Sequence, residues 1–285
     1  MIVQPSEAPL KHPAHSLRLP CGLLVGTLLV AMSPGPSSAQ SRVFGPDLRV
    51  NHSGDTFHQE APQVAVCLDG SIVVVWEDWR HTSGSVYIAR STDGGATFSV
   101  EQRVDPASLP GYGEPILVQW PGLAVDGQGI VYVTWIAWVL GETRRVWCAR
   151  SLDDGQTFGE PVPVSDTMEG DRSWPATAGD PWGGVYVVWG DFRNGPEVLD
   201  LYVSRSDDGS VFSPNVKANL GPISPNCTAP LPDIAAGHDP GRVYLCWRQT
   251  NASILRYVYS SRSTDFGVTW QPFVEVSHVP WSYDG

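Results

Sequence analysis

The residues of this chain that could do chemistry stand in a repeated arrangement. Trp76-Glu-Asp-Trp-Arg80 returns in outline as Trp189-Gly-Asp-Phe-Arg193, a Trp-x-Asp-x-Arg pattern written twice. A carboxylate two residues from a guanidinium can brace a loop, or the arginine fork can hold a ligand's carboxylate beside an aromatic ring. Repetition at equivalent places favours the brace. Comparable side chains occur elsewhere: Trp138 with Arg144 and Arg145, then Arg248, while the stretches between one unit and the next add Glu114, Asp171, Arg172 and Trp174. Glu77 and Asp78 are adjacent, so on an extended strand they point to opposite faces and make a poor cooperating acid pair. No histidine pair has metal-ligand spacing and no Gly-x-Ser-x-Gly motif occurs, so no metal site, serine hydrolase or cofactor is expected.

A second set of carboxylates is more numerous. Arg90-Ser-Thr-Asp-Gly-Gly-Ala-Thr-Phe98 returns as Arg150-Ser-Leu-Asp-Asp-Gly-Gln-Thr-Phe158, more loosely as Ser204-Arg-Ser-Asp-Asp-Gly-Ser-Val-Phe212, and as Arg262-Ser-Thr-Asp-Phe-Gly-Val-Thr-Trp270. Asp93, Asp153, Asp207 and Asp265 are 60, 54 and 58 positions apart. An aspartate in such a turn accepts hydrogen bonds from loop N–H groups, and Gly95, Gly155, Gly209 and Gly267 supply a left-handed backbone. Phe98, Phe158, Phe212 and Trp270 then fill apolar space between sheets. Catalysis does not need four copies of one acid, whereas a repeated fold does.

The elements that must position these groups are strands. Each turn is preceded by a β-branched and aromatic run ending in tryptophan: Ile72–Trp76, Val131–Trp135, Val185–Trp189 and Val243–Trp247. Short continuous apolar runs suit strands covered on both faces. An earlier, weaker strand carries proline and, three positions on, alanine (Pro62 and Ala65, Pro121 and Ala124, Pro175 and Ala178, Pro232 and Ala235). A third strand leads into each turn and a fourth follows its aromatic residue. Four short antiparallel strands every 55 to 60 residues, without helices, predict an all-β propeller. The units are expected at roughly 62–104, 120–164, 174–218 and 231–276, with 44–50 as a closing fourth strand.

Composition bounds the partner. The chain has 285 residues, is 42% hydrophobic and carries a formal charge of −12, and beyond residue 39 its one lysine is Lys217. A phosphate-backbone partner needs clustered basic residues, so nucleic acid is not expected. Lys11 and Arg18 precede the apolar run Cys21–Met32, and Ser37-Ser-Ala39 follows, the pattern of a secretory leader over 1–39. The run is 12 residues against about 20 for a spanning helix, so no lasting membrane span is expected and the product is secreted or periplasmic. Cys67, Cys148 and Cys246 lie in apolar patterns and read as small buried hydrophobes, while Cys227 could meet Cys246.

The pattern Ser-x-Asp-x-Gly-x-Thr-Phe/Trp resembles the Asp-box, or bacterial neuraminidase repeat, of the sialidase superfamily over about residues 60 to 276. The third copy departs from it, with Arg205 at the leading Ser position and Val211 for Thr. The resemblance implies a sialidase-like β-propeller of four-stranded antiparallel blades, six in full, of which about four are present in 40–285. It also implies a carbohydrate or glycoconjugate as partner, with exo-sialidase chemistry or a receptor-type scaffold as the other readings. In that family the loops from second to third strands, and between blades, frame the ligand site. They would here carry Arg80, Asp191, Arg193, Arg248, Glu114 and Trp138, a surface suited to an anionic sugar. The family's carboxylate-binding arginine stands in an Arg-Ile/Leu-Pro motif; Arg18-Leu-Pro20 falls in the leader, and the matching strand Ala61–Val66 has no arginine. Its acid/base aspartate has Asp78 as nearest substitute.

Overall fold

The computed structural model describes residues 45–52, 57–81, 83–110, 116–221, 223, 227, 229–250 and 255–277. The expected leader and Glu114 lie outside them. The chain separates into two units, 1–46 and 47–285; of the first, only Gly45 and Pro46 are described, and the second holds all that follows.

Sixteen strands form four antiparallel sheets of four, with no helix among the described residues. The first sheet is β1 (Gln59–Val66), β2 (Ile72–Asp78), β3 (Ser85–Ser91) and β4 (Gln102–Arg103), in chain order. The second is β5 (Ile116–Val125), β6 (Val131–Val139), β7 (Arg145–Ser151) and β8 (Val162–Pro163). The third is β9 (Arg172–Gly179), β10 (Val185–Asp191), β11 (Asp200–Ser206) and β12 (Val216–Lys217). The fourth is β13 (Asp233–Ala236), β14 (Val243–Thr250), β15 (Arg256–Ser263) and β16 (Val274–Glu275). Each sheet is a meander, which short hairpin connections favour. The all-β reading with four-stranded units therefore holds.

The first strands of successive sheets lie side by side, β1 on β5, β5 on β9 and β9 on β13, so the sheets fan out from a common centre. The core lies between them. One cluster joins Val73, Val75 and Ile88 of the first sheet to Val133, Trp135 and Trp147 of the second; another joins Tyr132 and Cys148 to Val187 and Trp189; a third joins Val188 and Leu201 to Leu245 and Trp247. Trp135, Trp147, Trp189 and Trp247 are fully buried. Such faces explain the unbroken apolar runs: a middle sheet is covered on both sides, so alternation disappears. Tyr132 and Tyr186 are buried by a following sheet, whereas Tyr244, at the matching place in the fourth sheet, is 40% exposed.

Three details differ from expectation. The fourth strands are two residues long, each followed by one further backbone hydrogen bond to the third strand, as from Val104 to Val86 and from Val164 to Val146. Residues 45–50 form no strand, having no ladder partner; Val50 instead packs half-buried on Trp76, Tyr87 and Ala89. Cys246 is exposed rather than buried, since it lies on the uncovered face of the fourth sheet, and all four described cysteines are free. Cys227 donates its thiol to the Arg248 carbonyl, 3.3 Å away.

The repeated turns are built alike in three sheets. Ser91 Oγ donates to Asp93 Oδ1 at 2.8 Å and accepts the Gly95 N–H at 2.9 Å, and Asp93 accepts the Thr97 N–H at 2.9 Å and hydroxyl at 2.6 Å. Ser151, Asp153, Gly155 and Thr157 repeat this, as do Ser263, Asp265, Gly267 and Thr269. The hydrogen bonds from Thr97 and Ser91 hold the Asp93 carboxyl at about 2. Phe158 packs on the cluster between the first and second sheets, Phe212 on that between the second and third, Trp270 between the third and fourth, and Phe98 beside Trp76. Gly155, at φ 82°, sits where a side chain would also press on Val73, 3.1 Å away.

The third turn corrects one assignment. Its carboxylate is Asp208, which accepts the Ser210 N–H at 2.9 Å and hydroxyl at 2.6 Å, while Ser206 accepts the Gly209 N–H at 2.8 Å. Asp207 is 85% exposed and pairs with Arg205. The ladder sets this register: Ser206 faces Val185 as Ser91 faces Ile72 and Ser151 faces Val131. Ser206 therefore holds the leading position, Arg205 falls back into line with Arg90, and the loop is one residue shorter.

Candidate functional site

Each Trp-x-Asp-x-Arg motif folds into a closed knot. In the first sheet the buried Asp78 accepts the Trp76 indole N–H at 3.1 Å, the Arg80 backbone N–H at 2.9 Å, and Arg80 Nε and Nη2 at 2.9 and 2.7 Å. Arg80 Nη2 also donates to Glu101 at 3.0 Å, and its guanidinium lies 4.0 Å from the Tyr87 ring centre. Burial opposes the charge on Asp78, but these donors together outweigh it and hold its carboxyl below the ordinary range. A buried carboxylate held ionised is a poor proton donor at neutral pH, the reverse of what a general acid requires. Glu77 faces the other way: Oε2 accepts the Trp120 N–H at 2.9 Å, tying the first sheet to the second, and burial raises its pKa.

The third sheet repeats the knot with an added cation. Asp191 accepts the Trp189 indole N–H at 2.7 Å and the Arg193 backbone and Nη2 at 2.8 and 2.7 Å. Arg193 also donates to Asp166 and Asn215, both at 2.9 Å, and stacks 3.9 Å from the Tyr202 ring centre. Arg172, fully buried, brings Nε within 3.3 Å of Asp191 and donates to the carbonyls of Gly170 and Thr167 and the Thr167 hydroxyl. Arg248 donates Nε and Nη2 to the Ala229 carbonyl at 3.2 and 2.7 Å. The second and fourth sheets lack the aspartate, and the indole nitrogens of Trp135 and Trp247 are buried without a hydrogen-bond partner.

Above the third-sheet knot lies a cleft of about 840 Å³ between the second and third sheets. Its walls are the β6–β7 loop (Glu142, Thr143, Arg144), the segment entering β9 (Asp171 to Trp174) and the β10–β11 loop (Phe192, Arg193, Pro196), with Trp120 from β5. These are the loops expected to frame a site. The Trp120 and Trp174 rings stand 5.5 Å apart at 30°. Arg144 lies 4.7 Å over the Trp138 ring, with Nη1 3.8 Å from Asp171. Of the residues singled out from sequence, Asp171, Arg172, Trp174, Arg193 and Arg144 meet here with Trp138 beneath; Asp78 and Arg80 sit apart in the first sheet, and Arg248 in the fourth.

Trp120 was not singled out from sequence, though a signal existed: it precedes Pro121 as Trp174 precedes Pro175. Both tryptophans are left-handed, at φ 54° and 50°, as are Ala61 and Leu231 before Pro62 and Pro232, at 50° and 43°. The ladder slips at this point in the first three sheets, between Glu60 and Gln63, between Gln119 and Gly122, and opposite Val188 to Gly190. Such bulges re-aim one side chain out of the alternation. Gly122 permits the bend: a side chain there would meet the paired hydroxyls of Thr134 and Thr177 at 2.5 and 2.6 Å. The four first strands also enclose a smaller central space of about 320 Å³ that touches both tryptophans.

The chain matches no family model and no curated protein. It is similar in structure to a Hadza microbial sialidase (TM-score 0.58, 20% identity, 77% of this chain and 47% of that one). It is similar also to the leech intramolecular trans-sialidase in complex with 2,7-anhydro-Neu5Ac (TM-score 0.62, 12% identity, 82% and 54%). A third is the α-L-arabinofuranosidase of Fusarium graminearum in complex with arabinobiose (TM-score 0.55, 14% identity, 80% and 69%). The chain thus spans about half the length of the two sialidases. The fold is that of the sialidase-like β-propellers, and at these identities the likeness is one of fold.

Proposed function

We propose that this chain is an exported sialidase-like propeller that recognises extracellular glycans at the cleft between its second and third sheets. The observation that carries the reading is the cleft itself: paired tryptophans at the mouth of the central space, flanked by carboxylates, hydroxyls and one half-exposed arginine. Concave sites that combine aromatic walls with a few fixed polar groups are the usual form of a small-ligand pocket. The leader pattern supports export, and the carbohydrate-acting proteins that share the fold support the class of partner. Arg80 and Arg248 have structural roles in this reading, as does Asp78. The protein, produced with its own leader, is expected in the medium or periplasm and is expected to be retained by a defined set of glycans on an array. A folded, exported protein that ignores every glycan would sink the proposal.

A second reading, a glycoside hydrolase of the exo-sialidase type, is favoured by the likeness to sialidases. Release of the fluorophore from a sialoside by the purified chain tests it. Turnover would establish the hydrolase; its absence from a protein that still binds glycans would leave recognition alone.

A further inference from the structure

We infer that the cleft takes a neutral saccharide stacked on Trp120 and Trp174, rather than the acidic sugar that an arginine-rich surface first suggests. This rests on the glycan-recognition reading above. Three arginines contribute to the cleft wall, and two are already engaged by the protein. Arg172 is fully buried, its guanidinium held by Gly170, Thr167 and Asp191. Arg193 directs Nη1 to Asp166 and Nη2 to Asp191 and Asn215, with its flat face against Tyr202. A ligand carboxylate would have to displace buried ion pairs, leaving an unpaired buried charge. Arg144 remains, half-exposed, but Asp171 and Glu142 share its wall, so an incoming anion meets two carboxylates beside one guanidinium. Like charges at that range oppose binding.

The same wall suits hydroxyls. The Asp171 and Glu142 carboxylates in the cleft lining can accept sugar O–H groups. The apolar C–H face of a sugar ring can lie on an indole face, where the ring quadrupole is negative. The backbone adds its own argument. All four sheets have the left-handed bend before proline in or just ahead of the first strand, yet only the two bordering this cleft carry tryptophan there; the others carry Ala61 and Leu231. A bulky residue in that conformation is strained, and strain of this kind persists where the structure over-determines it. Here it presents two rings in fixed positions before any ligand arrives, which lowers the ordering cost of binding.

Titration of the full chain with an arabino-oligosaccharide, a xylo-oligosaccharide, lactose and 3′-sialyllactose, read by calorimetry and tryptophan fluorescence, tests the inference. At least one neutral saccharide is expected to bind with a change in fluorescence, and 3′-sialyllactose no more tightly than lactose. Trp174→Ala is expected to weaken binding about tenfold or more, and Arg144→Ala by less than about threefold. Trp174→Leu, which keeps apolar bulk without the aromatic face, separates stacking from folding: it should retain the thermal transition and lose affinity. Preference for 3′-sialyllactose that disappears in Arg144→Ala would overturn the neutral class while leaving glycan recognition intact. Binding of neither kind of saccharide by folded protein would overturn both.

Discussion

At the scale of single residues, two adjacent aspartates have opposite fates. Asp208 caps the third turn and also takes Arg150 Nη1 at 2.7 Å, a link from the second sheet to the third, whereas Asp207 lies out in solvent. Asp208→Ala is therefore expected to destabilise the chain by about 1 to 2 kcal/mol, through unmet N–H and guanidinium donors. Asp207→Ala should stay within about 0.5 kcal/mol of the parent, as exposed substitutions do. Urea unfolding of the two variants checks this, and equal losses would show that the turn is shared between them. Glutamate and aspartate at 77 and 78 make the same point without a turn: one strand, opposite faces, and one carboxyl raised by burial while its neighbour is lowered by arginine.

At the scale of elements, the Trp-x-Asp-x-Arg knots hold the second and third strands of a sheet to the loops around them. Asp191 is central to the larger one, since Arg172 and Arg193 both face it. Removing that carboxylate leaves two largely buried guanidiniums short of a counter-charge, and Asp191→Ala is expected to cost about 3 to 5 kcal/mol or to prevent folding. Asp191→Asn should recover part of the loss, because an amide oxygen can still accept from Arg193 and the Trp189 indole. Thermal unfolding of the pair decides it. A fully stable Asp191→Ala protein that no longer binds glycan would turn the knot from a brace into a binding element. The bend before each proline is the other recurring device at this scale, with Ala61, Trp120, Trp174 and Leu231 all left-handed there.

At the scale of the molecule, the carboxylates divide into two titrating groups of opposite sign. Asp93, Asp153, Asp208 and Asp265 are lowered in the folded state, Asp93 and Asp208 to about 2, by the hydrogen bonds of their turns. Their contribution is complete above the unfolded carboxylate range, near 4, and is lost as pH falls through their lowered folded values, about 2 for Asp93 and Asp208. Burial raises Glu77 and Asp105 instead, so their charged forms weaken the fold, and protonating them relieves that cost as pH falls through their raised values. Stability measured by urea unfolding is thus expected to change little or rise slightly on mild acidification, then to drop steeply between about pH 4 and pH 2. Replacing Asp93 with asparagine should make that drop shallower. A monotonic loss starting from neutral pH would contradict the assignment of signs.

Much of the architecture could be read from the chain alone because it is written four times. Tryptophan-ended runs, aspartate turns and a constant interval belong to local sequence, and a sheet that must be covered on both faces leaves a continuous apolar run as its mark. The site was less legible. Repetition of Trp-x-Asp-x-Arg favours a brace for Arg80 and Arg193, as their bonds to Asp78 and Asp191 show, but nothing within a short stretch tells that Arg248 meets the Ala229 carbonyl rather than a ligand. The third turn was misaligned by one residue for a related reason: two aspartates are adjacent, and the choice between them belongs to the ladder between Ser206 and Val185. Trp120 and Trp174 lie 54 positions apart and meet only because β5 and β9 run side by side about a common centre. The sequence by itself determined the strands, their turns and their repetition, which depend on neighbours a few residues away. Tertiary structure decided which charges are neutralised and which rings converge, because those outcomes depend on distances between sheets.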